Sequence, residues 1–165
     1  MPQHHASGRF DVKMQPQPAA SETPTPGATL GRALLDKHYH GDLQATAQGQ
    51  MLSAISSTPG SAGYVAIEHV TGTLQGRSGS FVLQHTGLMA RGSRQLTVTV
   101  VPDSGTGALT GLEGRLDIRI EGGQHHRVLR GHVVDRDVLA VVAEELEERE
   151  VLGPVVVVHH GRRVV

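Results

Sequence analysis

The stretch from Ser80 to Met89 reads SFVLQHTGLM. Its apolar residues Phe81, Leu83 and Met89 fall at odd positions, a period of two that predicts a β-strand with one buried face. His85 shares that face. Segments of the same kind, bounded by glycine, continue on both sides with almost no helical pattern between them. The sequence therefore predicts an antiparallel β-structure.

The predicted strands follow one another as a meander. Glycine, serine and aspartate separate them, since glycine adopts positive φ and short polar side chains bond to nearby amides. The strands are predicted at residues 9–15, 37–47, 49–56, 64–74, 80–89, 95–101 and 111–121. A meander of this length leaves edges that invite aggregation unless it closes on itself. We therefore expect one all-β domain, a single antiparallel β-barrel.

The chain of 165 residues is long enough for one such domain with loose ends. Residues 1–15 contain the N-terminal segment and first strand, 16–29 a flexible proline-rich loop, and 30–126 the barrel body. Residues 127–165 form a C-terminal extension. Within it, residues 135–149 place valine and leucine at helical spacing opposite glutamates, which predicts a short amphipathic helix.

Composition argues against several classes of partner. The formal net charge is -1, with two Phe, two Tyr and no Trp, so neither a basic field nor stacking platforms favour nucleic acid. The chain has no cysteine, which excludes disulfides and thiolate chemistry and fits a cytoplasmic location. Residues 1–10 lack the apolar core of a signal peptide, and no apolar run is long enough to span a membrane. No cofactor is predicted.

His85 and Glu68 are the candidate catalytic residues. His85 is expected to point into an apolar interior, where desolvation favours the neutral imidazole. For residues 64–74 either face fits the interior. If Glu68 faces the same cavity, with Tyr64 two pleats away, burial would raise its pKa or a protonated His85 would lower it, and either suits proton transfer. The alternative is that Tyr64, Glu68 and His85 are buried and only satisfy one another's hydrogen-bonding groups.

Two turn residues are candidate ligand contacts. Arg77 could attract a ligand carboxylate if it flanks the cavity mouth. Asp103 lies in the turn from Pro102 to Gly107, which could present amides to an anion at the rim of a barrel. Because this turn lacks the lysine and the following helix of a phosphate loop, a plain glycine-rich turn is the favoured interpretation.

One histidine cluster has spacing that could hold a divalent metal. His38 and His40 share a strand face, with Asp42 beside them. No second cluster at a fixed offset completes a tetrahedral set, and the neighbouring glutamines and threonines suggest a solvated face. No metal site is predicted.

Several motifs together resemble a known bacterial family. These motifs are Asp36-Lys37, His40–Leu43, Gly49–Leu52, Gly60–Glu68, Phe81–His85 and Pro102–Gly107. In this order and spacing, residues 8 to 126 resemble the family called domain of unknown function 3224. The resemblance implies a barrel like that of plant allene oxide cyclase and implies no established reaction. The family's closing strand has a histidine followed by alternating aromatics, which this atypical tail lacks, so residues 128–134 or 155–158 are the candidate substitutes.

Three functions fit these observations, and enzyme activity is left open. The leading hypothesis is binding of a small, mostly apolar molecule, because a barrel of about eight strands can hold one small ligand. Tyr64, Glu68 and His85 would be its polar contacts, with Phe81, Leu83 and Met89 as walls. The second is a cyclase or isomerase in which Glu68 and His85 move protons, by fold analogy. The third is a structural module that forms homo-oligomers, with a barrel filled by its own side chains.

Overall fold

The computed structural model describes residues 6–18, 26–120 and 127–133, with the backbone alone for 119, 120 and 127–133. The strands are β1 (Ser7–Gln17), β2 (Ala28–Gly41), β3 (Leu43–Ser56), β4 (Ala62–Leu74), β5 (Arg77–Ala90), β6 (Ser93–Val100), β7 (Gly114–Ile120) and β8 (Arg127–Val133). A single turn of 3-10 helix, Gly107–Leu109, precedes β7. All strand pairs are antiparallel, which confirms the prediction of an all-β meander.

The strands are arranged in the sheet in chain order. The long strands β1 to β5 pair along most of their lengths. The β7–β8 hairpin pairs with its neighbours, β6 and β1, over much shorter lengths. β6 meets β7 at Val98 with Leu116 and Thr99 with Arg115, and β8 meets β1 at Ser7 with Arg130 and Gly8 with Leu129. Of the two candidate closing strands, residues 128–134 largely coincide with β8.

The loop predicted at residues 16–29 is shorter in the structure, because β1 runs to Gln17 and β2 begins at Ala28. Pro16 lies opposite Ala33 of β2. On its other edge, β1 pairs with β8 only as far as Gly8 in the described chain. Proline is tolerated at such an edge, where its missing N–H removes no ladder bond.

The turn between β2 and β3 also differs from the prediction. The predicted strands 37–47 and 49–56 are separated at residue 48, whereas β2 ends at Gly41 and β3 begins at Leu43. Gly41 has φ of 110°, which favours glycine. The Asp42 carboxylate accepts a hydrogen bond of 2.6 Å from the backbone N–H of Ser7, which ties the turn to β1.

Inward-facing side chains form two apolar clusters with a polar layer between them. The larger cluster includes Phe10, Tyr39, Val70, Leu74, Phe81, Leu83 and Val98, all buried. The smaller cluster consists of Ala33, Leu35, Met51 and Ala66, with Met14 and Tyr64 packed against it. The polar layer consists of Lys37, Glu68 and His85, the buried lysine, glutamate and histidine of the described chain.

The predicted helix at residues 135–149 and the rest of the extension beyond β8 lie outside the described residues. Within residues 6–18, 26–120 and 127–133, no helix has the length and apolar character needed to cross a bilayer.

Candidate functional site

The facing of β4 places Glu68 inside. Ala66, Glu68 and Val70 are 3%, 0% and 0% exposed, whereas Val65 and Ile67 are about half exposed on the other face. The sequence left both facings open, because apolar residues occupy both sides of this strand. Packing settles the choice in favour of the face that carries the carboxylate.

Glycine at position 49 lets β3 lie close beside this carboxylate. Gly49 is the register partner of Glu68. A Cβ at Gly49 would overlap the backbone oxygen of Ile67 and lie 3.0 Å from the Cα of Glu68. A larger residue here would push β3 away from the polar layer.

Glu68 joins side chains from two other strands. The Nζ of Lys37, on β2, donates a hydrogen bond of 2.9 Å to Glu68 Oε1, and the Nε2 of His85, on β5, contacts the same oxygen. The hydroxyl of Tyr39 donates to Glu68 Oε2 at 3.4 Å. Lys37 Nζ also lies 4.3 Å from the centre of the Phe10 ring, a cation–π contact. The carboxylate is therefore held by three side chains in a buried layer.

The charges of this layer follow from burial and pairing. Burial raises the pKa of Glu68, but the charges and hydrogen bonds of Lys37 and His85 outweigh it and hold that pKa at about 2. Burial lowers the pKa of His85; Lys37 acts in the same direction and Glu68 opposes them. At neutral pH the layer is thus a carboxylate–ammonium pair with a neutral imidazole beside it.

The structure brings four of the predicted site residues to one region and separates the others. Glu68 and His85 are in contact. Tyr64 and Met89 lie on the smaller-cluster side of the layer, because Tyr64 pairs with Gly87 two residues before Met89. Phe81 and Leu83 belong to the larger cluster on the other side, where Leu83, the register partner of Glu68, adjoins the polar layer.

Arg77 and Asp103 lie toward the opposite end of the sheet from Tyr64. Arg77 begins β5, opposite Leu74. Asp103 is exposed in the loop after β6, with φ of 59°. Amides of that loop already donate hydrogen bonds to backbone carbonyls. The N–H of Thr106 donates to the oxygen of Ser80 at 2.8 Å, and the N–H of Ser104 donates to the oxygen of Val101 at 3.2 Å. This bonding favours a plain turn over an anion site.

Solvent reaches the interior at the end of the sheet where Tyr64 lies. Several inward-facing residues there are partly exposed, whereas the residues of the larger cluster are buried. We call this region the open end and define it by its partly exposed inward-facing residues Met14, Tyr64, Met89, Arg94 and Leu96. The Tyr64 ring covers Gly87, since a Cβ at that position would overlap it. A residue larger than glycine would displace the ring.

Sequence reasoning missed Lys37, Tyr39 and Arg94. The signal for Lys37 is its position between Leu35 and Tyr39 at a spacing of two, which puts it on the buried face of β2. The signal for Arg94 is the same alternation with Leu96 and Val98 in β6.

The histidine cluster on β2 lies on the outer face. His38 and His40 are exposed, and His40 Nε2 lies 3.1 Å from Asp11 Oδ2. Asp42 instead binds the N–H of Ser7. In the part of the chain that the structure describes, no group of three histidine or carboxylate side chains could hold a metal ion.

Comparison with known proteins gives a family and no activity. The model of the family described as "Protein of unknown function (DUF3224)" matches residues 6–130. A crystal structure of a DUF3224 protein of unknown function from Shewanella oneidensis MR-1 is 51% identical, with a TM-score of 0.73, over 78% of this chain and 94% of that one. No curated protein matches the sequence. The chain therefore belongs to the DUF3224 family, as its motifs indicated.

Proposed function

We propose that this protein binds a small, mostly apolar molecule inside a closed barrel of the allene oxide cyclase kind, entered at the open end. The observation that carries the proposal is the contrast in exposure along the interior. Inward-facing Tyr64 and Met89 are partly exposed, whereas Glu68 and His85 behind them are 0% and 3% exposed. Partly exposed apolar side chains above a few convergent polar groups are typical of ligand sites. Closure of the barrel rests on the short pairing between β8 and β1.

The polar layer would form the floor of this site. A buried ion pair usually contributes less stability than apolar side chains of similar volume, because both charges lose their hydration. Its presence in the middle of an otherwise apolar interior supports a role in function. Since Glu68 is already held by Lys37, His85 and Tyr39, the floor offers fixed dipoles and little free charge. A mostly apolar ligand fits that floor.

The enzyme alternative, a cyclase or isomerase that uses Glu68 and His85, has less support. A general base works best when its pKa lies near the working pH. The pKa of Glu68 is held at about 2, so its carboxylate is a weak base at neutral pH. Nε2 of His85 is engaged with Glu68. Binding without proton transfer is the function that this geometry supports best.

Mass spectrometry tests the proposal on protein purified from its own host. The native spectrum is expected to show a reproducible small-molecule mass above the sum of the subunits in the denaturing spectrum. The substitution Tyr64→Ala should remove that mass, because Tyr64 lines the open end. The matched control is Val65→Ala, the next residue on the outer face of β4. Absence of extra mass, together with no binding of added straight-chain alcohols, would contradict the proposal.

A second candidate function is self-assembly through the outer face of β3, β4 and β5, with a second copy of this chain as the partner. Leu52, Val65, Ile67 and Leu88 are each about half exposed there, and Leu52 is the register partner of Val65. The outward positions of these three strands contain no Asp, Glu, Lys or Arg. Two copies could therefore meet without like-charge repulsion.

The size of this face also suits a dimer. A strand spacing of about 4.8 Å and a rise of about 3.3 Å per residue give three strands of this length roughly 600 Å². Stable interfaces bury about 800 Å² on each partner. The remaining area would come from the adjoining edge of β2, where Arg32 binds Gln50 of β3. A stripe of exposed apolar residues without charge is typical of interaction sites.

Light scattering during size-exclusion chromatography tests the self-assembly. We expect a dimer that Val65→Glu weakens at least about tenfold, because each copy would bury an unpaired carboxylate. The control is Thr97→Glu, which adds the same charge to the outer face of β6. A wild-type monomer at micromolar concentration, or equal effects of both substitutions, would contradict the assembly.

A further inference from the structure

Arg94 extends into the open end, and no carboxylate among the described residues pairs with it. It is the register partner of Met89 and shares the inward face of β6 with Leu96 and Val98. Its Nη1 is buried and has no hydrogen-bond partner among the described residues. Its Nε lies 3.3 Å from the sulfur of Met89, a weak acceptor. A partly buried guanidinium normally has a carboxylate or several oxygens around it.

The surroundings of Arg94 are apolar and adaptable. All three methionines of the described residues lie in this region. Met14 and Met51 belong to the smaller cluster, and Met89 contacts Arg94 directly. Methionine side chains are flexible and polarisable, so they can pack against apolar ligands of different shape. The open end thus combines flexible apolar side chains with one cation, the guanidinium of Arg94.

We infer that the open end takes an apolar molecule with a carboxylate, and that Arg94 binds the carboxylate while the methionines pack against the apolar part. This inference rests on the proposed function and adds to it the class of ligand. The planar guanidinium can donate two parallel hydrogen bonds to a carboxylate. Lys37 cannot take that role, because it is buried and paired with Glu68.

The competing role for Arg94 is a solvated surface charge whose stem covers the apolar mouth, as arginine stems often do. Partial burial lowers the pKa of Arg94, but the side chain remains a cation at neutral pH. The two roles differ in one measurable respect. A solvated arginine would make no distinction between a carboxylate and an alcohol of the same length.

Isothermal titration calorimetry at pH 7 makes that distinction. The probes are straight-chain carboxylates from butanoate to dodecanoate, each paired with the alcohol of equal length. We expect wild-type protein to bind the best carboxylate at least about tenfold more tightly than its alcohol, the value of one charge-assisted contact. Arg94→Gln should abolish this preference, so that carboxylate and alcohol of equal length bind with equal affinity. Arg94→Lys should retain part of it.

The control is Arg32→Gln, because Arg32 lies exposed on the outer face of β2, bonded to Gln50. It should leave the preference intact. Equal affinity for carboxylates and alcohols in the wild type, or a preference that survives Arg94→Gln, would overturn the role of Arg94 while the proposed function stands. If no probe of either kind binds, the proposed function itself is contradicted. Circular dichroism of each variant confirms that it is folded.

Discussion

Replacing Lys37 by methionine is expected to lower the free energy of unfolding by about 3–5 kcal/mol, the cost of breaking a buried ion pair. Methionine has a similar stem but cannot donate to Glu68. The carboxylate would remain at 0% exposure, with a neutral His85 and a Tyr39 contact of 3.4 Å as its partners. Urea unfolding at pH 7, followed by far-ultraviolet circular dichroism, measures the change.

The matched control is Lys13→Met, because Lys13 is exposed on β1. It is expected to change stability by less than about 0.5 kcal/mol. The double variant with Lys37→Met and Glu68→Gln should recover part of the loss, since the charge left without its partner is then also removed. Equal effects of Lys37→Met and Lys13→Met would show that the buried pair contributes nothing.

The strand content could be predicted because alternation is a local property. Phe81, Leu83 and His85 repeat every second residue, and the structure buries all three. The same reasoning places Leu116 and Ile118 of β7 inside. One strong alternation is enough to fix both the strand and its buried face.

The partners of Glu68 could not be predicted, because they depend on register. Lys37 is thirty-one residues away in the chain, and the two approach only because β2 pairs with β3 and β3 with β4. The predicted break between strands 37–47 and 49–56 would have shifted this pairing. The turn at Gly41 is tied to β1 by a hydrogen bond from Ser7 to Asp42, a long-range contact that no local pattern reveals.

Acidification is expected to remove about 3 kcal/mol of stability through Glu68, whose pKa falls from 4.5 to about 2 on folding. The folded pKa is the lower one, so between these values the unfolded chain binds a proton that the folded protein excludes. The contribution is therefore complete above pH 4.5 and is lost as the pH falls toward 2. Urea unfolding at a series of pH values from 7 to 2 measures it.

His85 also contributes to the loss of stability on acidification, and its contribution begins at a higher pH. Its pKa is also lowered from the ordinary 6.5, first by burial, so the unfolded chain takes up a proton below pH 6.5 that the folded chain resists. Glu68→Gln should flatten the profile below pH 4.5, and His85→Gln should flatten the decline that begins near 6.5. The exposed Glu113 provides the control through Glu113→Gln. An identical acid profile in wild type and Glu68→Gln would mean that the buried carboxylate does not control acid stability.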